Sequence, residues 1–225
     1  MNAIRKTPAA IALGCALLLA AGCGALPDKP ARATLYDFGP GPAMPAAAPA
    51  TAPSAATLPT LSLAEFESNT RLDGTQILYR LGYADANELR PYGQSRWSLP
   101  PSQLLRQRLR DTLSERRMVL GPEEAATISR GRGQAPDTLR ISLDEFSHYF
   151  ESASASVGLV RLRATLVRST AAGDRVLGQR LFTVRRPAPS ADAPGGVKAL
   201  IAASDAAVAE VVQWVDQLQQ QQPRQ

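Results

Sequence analysis

The sequence predicts an α+β fold: a mostly antiparallel sheet with two main helices packed on one face. Three observations point there. Residues 138–185 hold three runs of alternating apolar and polar residues separated by short polar stretches, the pattern of hairpin-linked strands. Two other segments carry apolar residues at helical spacing, one led by Pro100-Pro101 and one near the C-terminus. Strand–helix–strand alternations are few, which argues against a parallel, doubly covered sheet.

The chain opens with Arg5 and Lys6, an apolar run from about Ala9 to Ala21, and then small residues. That order is a secretory signal. The run is too short to span a bilayer, which takes roughly 20 apolar residues. Leu19-Ala20-Ala21-Gly22-Cys23 resembles the lipobox of bacterial lipoproteins, with Leu19 one position earlier than the pattern favours and Ala20 in its usual place. The resemblance implies a signal peptide over residues 1–22, cleavage before Cys23 and acylation (palmitate) of the Cys23 thiol. A soluble secreted protein cut near Ala21 is the alternative. Cysteine usage favours the lipoprotein. Cys15 leaves with the signal, so Cys23 is the one cysteine of the mature chain and has no disulfide partner. A spare thiol is a hazard in an oxidising compartment, and acylation removes it. More than one acyl chain makes attachment stable, at about 0.8 kcal/mol per buried methylene. Gly24 stands where the resembled lipoproteins carry Asp for inner-membrane retention, so the expected location is the periplasmic face of the outer membrane.

The precursor carries a formal charge of +5, of which Arg5 and Lys6 supply +2, leaving about +3 on the mature chain. Nearly all of the basicity is arginine. Such a surface suits anionic lipid or an acidic protein. Nucleic acid is excluded as a partner by the export signal and by the scarcity of stacking aromatics.

Residues 23–32 form a membrane tether containing Pro27 and Pro30, with a reach of about 30 Å fully extended. A single domain is expected over residues 33–219, beginning with a strand at Ala33–Phe38. Residues 39–59 are rich in Pro and Ala and read as a loop without a packed core. Leu61, Leu63 and Phe66 mark a second strand, Asp73-Gly74 a turn, and Thr75–Leu81 a third strand. A short strand is expected near Glu88–Tyr92. Pro100-Pro101 opens a helix whose stripe is Leu105, Leu109 and Leu113, ending near Arg117. Glu123–Ile128 forms a short helix, and Ser129–Pro136 a loop. Strands follow at Thr138–Phe150, Val157–Arg168 and Arg175–Arg185; in the last, Phe182 and Val184 face one way and Leu177 and Leu181 the other. The final helix runs from about Val197 to Gln219 on a stripe of Val197, Leu200, Ile201, Val208, Val211, Val215 and Leu218, with Trp214 flanking it. Its Gln-rich end is expected to fray into a tail over residues 220–225.

Catalytic and metal chemistry have little to work with. The chain has one histidine, His148, in the pattern of the first long strand. It reads as a structural or edge-strand residue, with a metal ligand or catalytic base as the alternatives. No Gly-x-Ser-x-Gly elbow accompanies it, and a zinc site needs more His or Cys than remain. Gly131-Arg132-Gly133 lacks the context of a phosphate loop. Glu123-Glu124 complement the dipole at a helix start. No cofactor is implied.

A set of short motifs follows the lipobox in order: Leu35-Tyr36-Asp37-Phe38, Asp73-Gly74, Ile77-Leu78-Tyr79-Arg80, Tyr92, Arg96-Trp97, and Pro100-Pro101 leading into Leu104-Leu105. This order resembles the ABC-type transport auxiliary lipoprotein family, which includes the paraquat-inducible C-type lipoproteins. The resemblance spans most of the chain after Cys23 and weakens after Gly121; the Pro/Ala-rich insertion departs from it. It implies a non-enzymatic protein that docks a mammalian-cell-entry-type substrate-binding protein of a lipid ABC transporter. By the same resemblance Tyr79, Arg80, Tyr92 and Trp97 are the candidate partner-binding residues, against a structural reading in which Tyr79 and Trp97 belong to the core. A homo-oligomer is compatible with the sequence. The competing functions are an assembly lipoprotein of another envelope complex and a periplasmic hydrolase using His148.

Overall fold

The computed structural model describes residues 32–41, 58–132, 135–170 and 172–221. Cys23, the tether before Arg32 and most of the Pro/Ala-rich segment lie outside the described residues.

The sheet is built around β7 (Asp137–Phe150). On one edge β7 pairs antiparallel with β8 (Ser156–Thr170), and β8 pairs antiparallel with β9 (Gly173–Pro187). On the other edge three short strands lie end to end, all parallel to β7: β2 (Leu61–Leu63), β3 (Glu67–Ser68) and β4 (Gln76–Leu81). A 3-10 turn at Thr70–Leu72, capped by the Asn69 side chain, joins the last two. β4 then pairs antiparallel with β5 (Asp85–Trp97), whose end is flanked by β1 (Thr34–Tyr36), and β2 is flanked by β6 (Val119–Leu120). The long ladders are antiparallel and the short ones parallel, so the sheet is mixed in an α+β fold.

Three helices are present among the described residues: α1 (Pro101–Ser114), α2 (Pro122–Arg132) and α3 (Ala193–Gln221). Pro101 occupies the first turn of α1, where its missing N–H costs nothing. Leu104, Leu105, Leu109 and Leu113 of α1 and Val197, Leu200, Val208, Val211 and Val215 of α3 join Leu139, Ile141, Leu143, Val160, Leu162 and Leu166 of the sheet in one core. Helix α3 seats directly on β8, where a Cβ at Gly158 would lie 2.4 Å from the Ala199 carbonyl carbon. Among the described residues no helix is long and apolar enough to cross a membrane.

Several elements differ from the sequence expectation. β5 runs to 13 residues although its pattern suggests a short strand, because most of it is exposed and apolar alternation is missing. Helix α2 continues through Ser129–Arg132, which reads as loop because Gly131 breaks the pattern. Leu177 faces the core with Phe182 and Val184, not with exposed Leu181. The cause is a β-bulge: Leu166 pairs with Gly178 and Val167 with Val176, so Leu177 is an extra residue and the facing parity flips there. Trp214 is buried against Phe182, edge to face, where the sequence places it at the flank of the stripe, and the last helix continues to Gln221.

Candidate functional site

A second bulge organises the aromatic end of the sheet. Leu143 pairs with Leu162 and Glu145 with Arg161, so Asp144 is extra in β7. Before the bulge the odd residues Leu139, Ile141 and Leu143 face the core; after it the even residues Phe146, His148 and Phe150 do. The bulge thus turns His148 inward on a central strand, fully buried, rather than leaving it on an edge.

The His148 ring is fastened at both nitrogens. Nδ1 lies 2.8 Å from the Tyr92 hydroxyl, and Nε2 lies 2.7 Å from Ser156 Oγ. Gly196 of α3 sits against the ring: a Cβ there would be 2.3 Å from Nδ1. Phe150 packs at 4.4 Å between ring centroids. Burial pushes the His148 pKa down to about 4, the Asp192 carboxylate opposing it. A neutral imidazole has one N–H and one lone pair, which serve these two bonds and leave none over. Burial raises the Tyr92 phenol well above its usual value, so it too stays neutral. Asp192 carries a hydrogen bond from Ser190 Oγ at 2.6 Å and one from the Gly195 N–H at 2.8 Å. Its pKa falls, first through the Ser190 bond.

The serine–histidine pair has the heavy-atom spacing of a nucleophile and its base. Its surroundings are wrong for that role. The imidazole has no exposure to solvent, its pKa of about 4 makes it a weak base, and its other nitrogen meets a phenol instead of a carboxylate. The cluster's geometry is that of a structural clasp holding the start of α3 against β4, β5, β7 and β8. Sequence reasoning missed Ser156 and Asp192 as its members. A signal existed only for His148, because the contacts depend on the bulge.

The four sequence-nominated docking residues have separate fates. Tyr79 and Tyr92 are half-buried and pack against each other with their rings tilted by 36°, centroids 4.7 Å apart. Arg80 is consumed: Nε and Nη2 each donate to the Glu145 carboxylate at 3.2 Å, and Nη1 donates to the Ala86 and Asn87 carbonyls at 3.2 Å. It holds the bulged β4–β5 hairpin in shape. Trp97 is withdrawn from the set of surface anchors. It is 1% exposed and packs edge to face on Phe38 and Phe146, because it faces inward at the end of β5. What the hairpin shows to solvent is Tyr83 together with Asn87, Glu88 and Arg90. Arg108 of α1, also buried, donates to the Phe38 and Gly39 carbonyls and pairs with Asp205 at 3.1 Å, tying the strand that follows the tether to both main helices. Among the described residues no group of three or more His, Cys, Asp or Glu side chains could hold a metal ion.

The family model for the ABC-type transport auxiliary lipoprotein component matches residues 42–215. The chain belongs to this family. The auxiliary lipoprotein is similar in fold to a crystal structure of a Xanthomonas campestris protein at 22% identity, with a TM-score of 0.61 over 72% of this chain and 86% of that one. It is also similar to an uncharacterised protein of known structure at 14% identity, with a TM-score of 0.56 over 82% of this chain and 99% of that one. None of the curated proteins matches it significantly. Membership makes this protein a transport auxiliary component of the lipoprotein type, associated with an ABC transporter in the cell envelope.

Proposed function

We propose that this auxiliary lipoprotein is held on the periplasmic face of the outer membrane by acylated Cys23. There it acts without catalysis, docking the mammalian-cell-entry-type substrate-binding protein of a lipid-transporting ABC system. The observation that carries the non-catalytic reading is the inward commitment of the polar groups at the aromatic end. His148, Tyr92, Ser156 and Arg80 bond one another, Glu145 or main chain, which supports a structural role for these four side chains. The family match supports the transport role. Arg80 shapes the β4–β5 hairpin, and the exposed parts of Tyr79 and Tyr92, with Tyr83 and Arg90, supply the contact. Aromatic and arginine side chains are the types that dominate protein interfaces.

A tether of about 30 Å keeps the domain near the bilayer, so the partner crosses most of the periplasm itself. Photocrosslinking probes in cells, placed singly from Asn87 to Gln94 and from Ser129 to Gly131, test the docking. Capture of a mammalian-cell-entry-type protein through the hairpin positions is expected. Consistent capture of a different envelope complex would replace this reading with that of an assembly lipoprotein. Mass spectrometry of the mature N-terminus tests the anchor: an unmodified Cys23 peptide would remove it.

A further inference from the structure

The far edge of the sheet carries a second surface. Among the described residues β9 pairs with β8 alone, and from Gly178 to Arg186 the ladder is regular, without a shift. An edge strand of this kind leaves the N–H and C=O groups of alternate residues unpaired, a template for another strand. Residues 175–187 contain Arg175, Arg180, Arg185 and Arg186 and no acid. Arg180 and Arg186 are exposed on the side of the sheet that α3 covers, with Arg180 lying over the Phe182 ring. On the open side stand Arg185, paired with Glu151 at 2.8 Å, and Arg161 and Arg163 of β8, opposite Thr183 and Leu181. Arg163 reaches Asp144 only at 3.8 Å, and Arg161 has no carboxylate within 4.0 Å among the described residues. Between these cations Leu181 is 51% exposed.

Charge distinguishes the possible occupants. A second copy of β9 would bring together two strands that carry arginines and no carboxylate, with like charges close in any register. A strand carrying carboxylates on both faces would meet cations on both faces, with an apolar residue opposite Leu181. We propose that β9, from Gly178 to Arg186, is a docking edge for an extended acidic segment of a partner protein, added as a further strand. Main-chain hydrogen bonds supply the binding and the flanking arginines select the charge. This surface is separate from the β4–β5 hairpin and stands whichever partner the hairpin holds.

Hydrogen exchange on the full-length chain in detergent tests this. The probe is a synthetic peptide of repeating Glu-Glu-Val-Val, which as a strand carries glutamate on both faces, long enough to span Gly178 to Arg186; a Lys-Lys-Val-Val version is the control. At low salt the acidic peptide is expected to slow exchange of the outward amides of Gly178–Arg186 about tenfold. The lysine peptide leaves them unchanged, and added salt reverses the protection. The double variant Arg180→Glu, Arg186→Glu, with an unaltered circular dichroism spectrum, should lose the protection; Arg180→Lys, Arg186→Lys should keep it. Equal protection by both peptides, or none by either, overturns the proposal. So does concentration-dependent protection without peptide, which would assign the edge to a second copy. Binding to vesicles of anionic phospholipid without amide protection would assign the arginines to lipid and overturn it as well.

Discussion

The two ends of α3 are pinned to the sheet by polar groups of opposite character. At the start of the helix the clasp is uncharged: a neutral imidazole between two hydroxyls, under Gly196. Near the end it is ionic. Asp216 pairs with buried Arg117, and with Arg116 at 2.9 Å. Arg117 also donates to Gln219, which donates to Asp137 at 3.3 Å; Asp137 takes two further bonds from Arg168 at 2.9 and 3.0 Å. Burial lowers the Arg117 pKa, with Asp216 opposing, while the bond to Asp137 raises that of Arg168. Both clasps satisfy buried polar groups, but they fail under different conditions. Losing a partner in the ionic cluster leaves a charge stranded; protonating the neutral one creates a charge where none is tolerated.

The largest expected effect breaks the ionic end. Asp216→Ala leaves Arg117 buried without its carboxylate and should cost about 3–5 kcal/mol in urea denaturation. Replacing both partners together, Arg117→Met with Asp216→Leu, should recover most of the loss. If the double variant is as unstable as the single one, the stranded-charge account is wrong.

Next comes the neutral end, through pH. His148 is neutral in the fold, with a pKa of about 4 against 6.5 unfolded, so the unfolded chain binds the extra proton between those values. Stability is therefore full above about pH 6.5 and falls as pH drops toward 4, by roughly 3 kcal/mol at most. Asp192 faces the ring and softens the loss. His148→Gln should flatten the stability–pH profile across this window while leaving the Asp216 penalty unchanged. A profile of identical slope in both proteins would remove His148 as the titrating group.

Gly158→Ala tests the contact between the two clasps. The new methyl meets the main chain of Ala199 and Leu200, which cannot swing aside, so α3 must shift at about 1–3 kcal/mol. The shift should reach the nearby imidazole first, visible as an altered His148 proton resonance before any change around Trp214. Smallest is Val211→Ala, a deletion of apolar contact from the middle of α3, at about 1–2 kcal/mol with no change in pH or salt dependence. A loss of only a few tenths would count against the packing of this stripe on the sheet.

The sequence by itself determined the α+β class, the apolar stripes of α1 and α3, and the three long strands, because these rest on local periodicity. Leu105, Leu109 and Leu113, or Val208, Val211 and Val215, announce a buried face without reference to the rest of the chain. It also carried the ordered motifs that resemble the family, and the family model matches residues 42–215. Only the tertiary structure decided what the polar residues do. The extra residues Asp144 and Leu177 leave no mark on the alternation that a reader could date to one position, yet each flips the facing of everything beyond it. That flip joins His148 to Ser156 and Tyr92, and an eight-residue separation and a 56-residue one become equivalent contacts. In the sequence Arg80 is a docking candidate by resemblance, and Trp97 is read both as a docking residue and as a core residue. Arg80's role as hairpin clamp and Trp97's as core ring follow from which strand lies beside each, a long-range fact that no local pattern encodes.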